Sequence, residues 1–294
     1  MKAVQARERI ALKNILFATD FSPAADAAAP FATQMARSYG AKVYGVHAKP
    51  FENYALAAPE AWSAMAQATE KEIKEHNQHM EEQLKGVEHE VVIVEGNIWE
   101  VISNLIKEKE IDLIVLGTRG RTGIGKTLLG SVAEQILRQA PCPVLTVGPH
   151  VTLEPEKAVN MREILYATDL AVDFPATAPY AISLAQENQA QLALLYVIEN
   201  QKTGELVQSA ELVDSKLRML HRLVSEEAKL WCEPKYFVEQ GIPAEKILHV
   251  AKQVQADLIV LGAKPANGLA AHLNAGTVHK VVSQAKCPVL TVRG

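Results

Sequence analysis

The chain predicts an α/β fold: two tandem doubly wound sheets, each of five parallel strands. Three observations carry that expectation. Short apolar runs alternate with longer helical stretches, as βαβ units require. The same order of signals occurs twice along the 294 residues. And a glycine-rich, cationic loop, GTRGRTGIGKTLLGS from Gly117 to Ser131, directly follows the apolar run Ile111-Asp112-Leu113-Ile114-Val115-Leu116. A loop of that kind between a buried strand and a helix is a phosphate cradle. Glycines let backbone N–H groups approach an anion, and Arg119, Arg121 and Lys126 add positive charge.

Taken in order, strands are expected at about 13–18, 42–47, 89–95, 112–117 and 143–147 of the first repeat. Helices fall between them at about 24–39, 60–85, 98–109 and 132–139. Asn97, three residues before Glu100, marks the start of the third helix. For the fourth, Ser131 as N-cap with Glu134 reads as a capping box, and Pro141 ends the helix. The second repeat places strands near 163–168, 191–198, 234–239, 257–262 and 288–292, with Pro243 opening its third helix.

The repetition is close to literal. Asn14-Ile15-Leu16-Phe17-Ala18-Thr19-Asp20 returns as Glu163-Ile164-Leu165-Tyr166-Ala167-Thr168-Asp169, and Cys142-Pro143-Val144-Leu145-Thr146-Val147 returns as Cys287-Pro288-Val289-Leu290-Thr291-Val292. From Gly96 and Gly241 onward the spacing holds at 145 residues, with no gap. Residues 1–148 form the first domain, the turn-rich stretch 149–160 with Pro149 and Pro155 a linker, and 161–294 the second domain.

Bulk composition narrows the function classes. A hydrophobic content of 48% fills two cores, and 5% aromatic leaves Val, Ile, Leu and Ala to fill them. A net charge of −4 argues against general nucleic-acid or membrane-surface binding. No apolar run reaches transmembrane length, and MKAVQARERIALKN is too polar for a secretory leader. Three unclustered cysteines point to a reduced, cytoplasmic setting. Cys142 and Cys287 read as core residues, and Cys232 has no visible partner.

In a Rossmann-like sheet of order 3-2-1-4-5, the first and fourth strands meet at the switch point, where ligands bind outside their carboxyl ends. Those ends carry Asp20 and the Gly117 loop. Two patterns overlap in the loop. Gly120-x4-Gly125-Lys126-Thr127 fits the P-loop expression, but it follows the fourth strand, needs a helix beginning at Lys126 and Thr127, and would bury Gly130 in the first turns. No strand of the hhhhD type follows to hold magnesium.

The other pattern, Gly117-x2-Gly120-x9-Gly130-Ser131, with Asp20 and the terminal Cys-Pro-Val-Leu-Thr-Val strand, resembles the ATP-binding universal stress proteins over nearly the whole chain. The resemblance implies that Ala18, Thr19 and Asp20 lie against adenine and ribose, with Val46 lining the adenine pocket. It implies that Gly117, Thr118, Arg119, Gly120, Gly130, Ser131 and Val132 wrap ribose and phosphates, with Arg121 and Lys126 adding charge. ATP with Mg2+ is the expected ligand, and no catalytic residue is assigned; hydrolysis, where present, is slow. The terminal strands of the two halves would pair as an internal pseudo-dimer, with homodimers and an unnamed protein partner further implications.

The second copy reads as degenerate. Pro265 stands at the Gly120 position, Ala275 and Gly276 at Gly130 and Ser131, and Ala266 and Ala271 at Arg121 and Lys126. Two alternatives stay open: a P-loop ATPase or kinase using Lys126 and Thr127, and a scaffold that binds no nucleotide. Plainer roles stand beside the sharp ones. Asp20 would cap the turn before Ser22-Pro23, Asp112 and Asp257 would be structural, and Arg121 and Lys126 solvated charges. His76, His79 and His89 would sit on a solvated surface, with Trp62 and Met65 serving helix packing or an interface.

Overall fold

The computed structural model describes residues 10–49, 59–118, 129–152, 160–170, 177–199, 210–230, 232–263 and 271–293. In the first half the strands are β1 (Asn14–Ala18), β2 (Lys42–Lys49), β3 (His89–Glu95), β4 (Leu113–Gly117) and β5 (Val144–Val147). The second half supplies β6 (Glu163–Ala167), β7 (Gln191–Ile198), β8 (Lys235–Gln240), β9 (Leu258–Ala263) and β10 (Val289–Arg293). Together they form one sheet of order β3-β2-β1-β4-β5-β10-β9-β6-β7-β8.

Each half has the expected 3-2-1-4-5 order with parallel pairing. The expectation of two separate sheets is corrected: β5 and β10 pair antiparallel, Leu145 opposite Leu290 and Thr146 opposite Val289. The reason is the edge problem. Each terminal strand is a short apolar Val-Leu-Thr-Val run whose outer N–H and C=O groups need partners, and the repeat supplies a matching edge. The Thr146 hydroxyl adds a bond to the Val289 carbonyl, 3.1 Å.

Helices cover both faces: α1 (Pro23–Asp26), α2 (Ala29–Tyr39), α3 (Pro59–Gln83), α4 (Ile98–Glu108), α5 (Ser131–Gln139), α6 (Thr177–Glu187), α7 (Ala210–His221), α8 (Pro243–Gln253) and α9 (Ala271–Gln284). Side chains alternate across the strands. Ile15 and Phe17 join Ile164 and Tyr166 in a core that runs through both halves under α2 and α6. Leu16 and Ala18 point to a separate core under α4 and α5, and Leu165 and Ala167 to another under α8 and α9. One face of the sheet is therefore a single core across the β5–β10 seam, and the other holds two cores that meet at Leu129 and Leu137.

Two expected helices differ in detail. The stretch 24–39 is broken at Ala27 and Ala28, because Pro30 in the first turn of α2 has no N–H to continue the ladder from α1. The cap of α5 is Gly130, with φ −63° and ψ 145°, so Ser131 occupies the first helical position; Glu134 pairs with Arg138 at 2.8 Å and closes no capping box. Other local signals act as read. Asn97 accepts from the Trp99 and Glu100 N–H groups at 3.0 and 3.3 Å, and Pro243 opens α8.

The repeated aspartates are structural. Asp112 accepts from the N–H groups of Lys13 and Asn14 at 2.7 and 3.0 Å, and Asp257 from those of Arg162 and Glu163 at 2.8 and 3.0 Å. Each ties the start of a repeat's first strand to its fourth. Burial pushes the thiols of Cys142 and Cys287 up to about 12, which leaves both as inert packing groups. Trp62 on α3 stays 51% exposed, outside the core.

Candidate functional site

The expected switch point forms because β1 lies between β2 and β4. Ala18 pairs with Val46 on one side and Leu116 on the other. The Thr19 N–H continues the pairing to the Val46 carbonyl at 3.0 Å, then the chain turns sharply away from the sheet. Thr19 Oγ1 accepts from the Phe21 N–H and Asp20 Oδ1 from the Ser22 N–H, both at 3.0 Å. Ser22 in turn caps α1 through the Ala25 N–H, 3.2 Å. Asp20 thus has a turn-forming bond, as its plainer reading held, while remaining partly exposed at the strand end.

Phe21 sits at φ 57°, a left-handed conformation that strains a residue with a bulky side chain. The second half repeats the device: Thr168 Oγ1 accepts from the Leu170 N–H at 3.1 Å, and Leu170 has φ 55°. Strain kept at equivalent strand ends in both halves belongs to the turn that opens the crevice.

Around Phe21 is a cluster of histidines. His76 of α3 stacks on its ring at 4.0 Å and 14°, with His47 at 4.7 Å and His79 at 5.7 Å. His47 is buried, its Nδ1–H donating to the Thr19 carbonyl at 2.9 Å. Asp26 accepts from Gln83 at 2.8 Å and meets His79 at 3.3 Å. His76 therefore packs half-buried over the β1 turn, which corrects its assignment to a solvated face, whereas His79 keeps its expected exposure at 48%. Among the described residues no group of three or more His, Cys, Asp or Glu could hold a metal. The one available signal was His47, a polar residue near the end of a strand buried along most of its length.

At the neighbouring strand end, Gly117 owes its identity to space. A Cβ there would lie 2.5 Å from the Ala24 carbonyl oxygen and 2.9 Å from the Ala25 nitrogen. The close approach is that of α1 to β4. Beyond it, the Thr118 N–H bonds the Val147 carbonyl at 3.0 Å, and the Gly130 N–H bonds the Thr118 carbonyl at 2.9 Å. That second bond brings together the two ends of the glycine motif, twelve positions apart in the sequence. Ser131 and Val132 are exposed at the start of α5, where first-turn N–H groups have no partner within the helix and favour an anion. Val46, by contrast, is fully buried among Leu16, Tyr44 and Ile102 and forms part of the floor. Arg119, Gly120, Arg121 and Lys126 lie outside the described residues.

Ala18, Thr19, Asp20, Val46, Gly117, Thr118, Gly130, Ser131 and Val132 thus share one end of the sheet, around the carboxyl ends of β1, β2 and β4 and the amino end of α5. Chemically this is a hydroxyl- and amide-lined crevice with a carboxylate at one side and a helix amino end at the other.

Comparison with known proteins agrees with this architecture. The Universal stress protein family profile matches twice, over residues 11–148 and 160–293. A universal stress protein of Methanocaldococcus jannaschii is 34% identical over 140 residues, covering 46% of this chain and 81% of its own. One from Thermus aquaticus is 36% identical over 137 residues, covering 46% of this chain and 98% of its own. Among solved structures, a universal stress protein from Archaeoglobus fulgidus superposes with a TM-score of 0.70, covering 95% of this chain and 98% of its own at 16% identity, a likeness of fold. With both halves matched by the same family profile, the chain belongs to the universal stress protein family.

Proposed function

We propose that the protein is a cytoplasmic, ATP-binding regulator with one competent nucleotide site, in its amino-terminal half, and a carboxyl-terminal copy that no longer holds a triphosphate. The observation that carries the reading is the bond from the Gly130 N–H to the Thr118 carbonyl. It sets the amino end of α5 beside the end of β4, across the switch point from Asp20. There the first-turn N–H groups of α5 and the Ser131 hydroxyl would take phosphate oxygens, and Asp20 would face the ribose. Arg119, Arg121 and Lys126 would neutralise part of the triphosphate charge and leave a place for Mg2+ to neutralise the rest.

The start of α5 at Ser131, with Leu129 and Gly130 not helical, disfavours a P-loop, whose helix would open at Lys126 and Thr127. No residue is assigned as a general base, so the role proposed is binding, with at most slow hydrolysis. Because β5 and β10 already occupy each other's edges, we take the two halves as an internal pseudo-dimer; a second chain or protein partner would dock elsewhere.

The test is to denature freshly purified protein and count adenine nucleotide per chain, with Gly120→Val and Ser131→Asp alongside. The aspartate suits a helix amino end, so the variant stays folded, while its charge repels phosphate. The expected result is about one ATP per wild-type chain and a loss in both variants. No nucleotide in the wild type, and no binding on titration with magnesium and ATP, would leave the scaffold reading instead.

A further inference from the structure

We propose that the carboxyl-terminal half carries a second ligand site, selective for a small organic cation, at the carboxyl ends of β6 and β9. A cavity of about 100 Å³ lies there, in the half whose phosphate loop is degenerate. Its position is equivalent to the crevice of the first half, since Ala167 pairs with Leu195 and Leu261 as Ala18 pairs with Val46 and Leu116.

Its chemistry differs. Asp169 and Glu199 contribute carboxylates, and among the described residues that line the cavity none is Lys, Arg or His. Where β2 ends in His47, Ala48 and Lys49, β7 ends in Tyr196, Val197 and Ile198, so two basic side chains are replaced by uncharged ones. The described lining offers an anion no cationic partner, whereas its carboxylates would hold an ammonium group by charge-assisted bonds.

A separate observation points to a ligand. Thr177 lines the cavity, is 0% exposed, and its hydroxyl has no hydrogen-bond partner among the described residues. Buried hydroxyls are rarely left so, and a donor-bearing ligand would satisfy it. Leu195, Val197 and Ile247 form apolar walls. The volume of about 100 Å³ suits an amine head on a short aliphatic body.

The test is a methyl-resolved NMR titration of the full chain with three probes of one shape: n-butylamine, n-butanol and butyrate. Saturable shifts of the Val197 and Ile247 methyls are expected with butylamine, at least tenfold tighter than with butanol and absent with butyrate. Asp169→Asn should weaken butylamine at least tenfold, and Glu199→Gln, a surface change that leaves the fold intact, several-fold. Equal response to butanol or butyrate, indifference to both substitutions, or no saturable shift up to about 50 mM would each overturn the proposal. Repeating the titration in the Ser131→Asp variant separates it from the nucleotide reading, because the amine response should persist there.

Discussion

Replacing Gly117 by alanine distinguishes a glycine kept for a ligand from one kept for packing. Gly117 is not among the glycines with positive φ, so an alanine is compatible with the backbone and the issue is space. The added methyl would stand 2.5 Å from the Ala24 oxygen and 2.8 Å from its carbonyl carbon, both rigid backbone atoms. Relief requires α1 and β4 to separate by somewhat under 1 Å, an overpacking that costs about 1–3 kcal/mol. Reduced freedom of the unfolded chain offsets about 0.4–1 kcal/mol, leaving a net loss centred on about 1.3 kcal/mol and at most about 2.6 kcal/mol.

The control is Gly276→Ala. That glycine lies in α9 with nothing within 4 Å of a Cβ, so alanine should stabilise by about 0.5–1 kcal/mol through helix propensity. Urea unfolding of nucleotide-free protein reads both: the Gly117→Ala midpoint should fall and the Gly276→Ala midpoint rise, at unchanged slope. A Gly117→Ala protein that unfolds at or above the wild-type midpoint would refute the packing argument and return the residue to the ligand. For the same reason Gly117 variants are poor probes of nucleotide binding, and Gly120 and Ser131 are better ones.

Two further outcomes follow from the cited contacts. Asp112→Ala and Asp257→Ala should each destabilise by about 2 kcal/mol, the low end for two bonds to a partly exposed carboxylate, and by similar amounts because the geometry repeats; unequal losses on denaturant unfolding would show that the halves do not use the clamp alike. At His89, burial disfavours the charged ring, but the Val87 carbonyl and Glu81 outweigh it, so its pKa lies above the ordinary value. A raised folded-state value means that the stabilisation is fully present below about pH 6.5 and is lost as pH rises through the folded pKa. An NMR titration midpoint at or below about 6.5, or one that Glu81→Gln leaves in place, would contradict the assignment.

What the sequence determined on its own is what neighbouring residues decide. Apolar runs of strand length, the Asn97 cap, Pro243 at the start of α8 and the doubled order of elements all act within a few residues, and all were legible. The break between α1 and α2, set by Pro30, was equally local and was missed because the helical pattern continued across it. The Gly130 cap turned on one N–H: pinned to the Thr118 carbonyl, Gly130 takes the extended cap conformation ahead of Ser131.

The tertiary structure decided whatever depends on residues far apart in the chain. A ring turned left-handed at Phe21 becomes a platform only because α3 brings His76 onto it. Gly117 looks like a phosphate glycine until the Ala24 carbonyl stands beside it. Two five-stranded sheets become one because β5 and β10 each leave an unpaired edge, and periodicity along a strand says nothing of what lies across it. The cavity by Asp169 and Thr177 follows the same rule: residues from β6, β7, β9, α6, α8 and α9 line it, and no short stretch of sequence contains that shape.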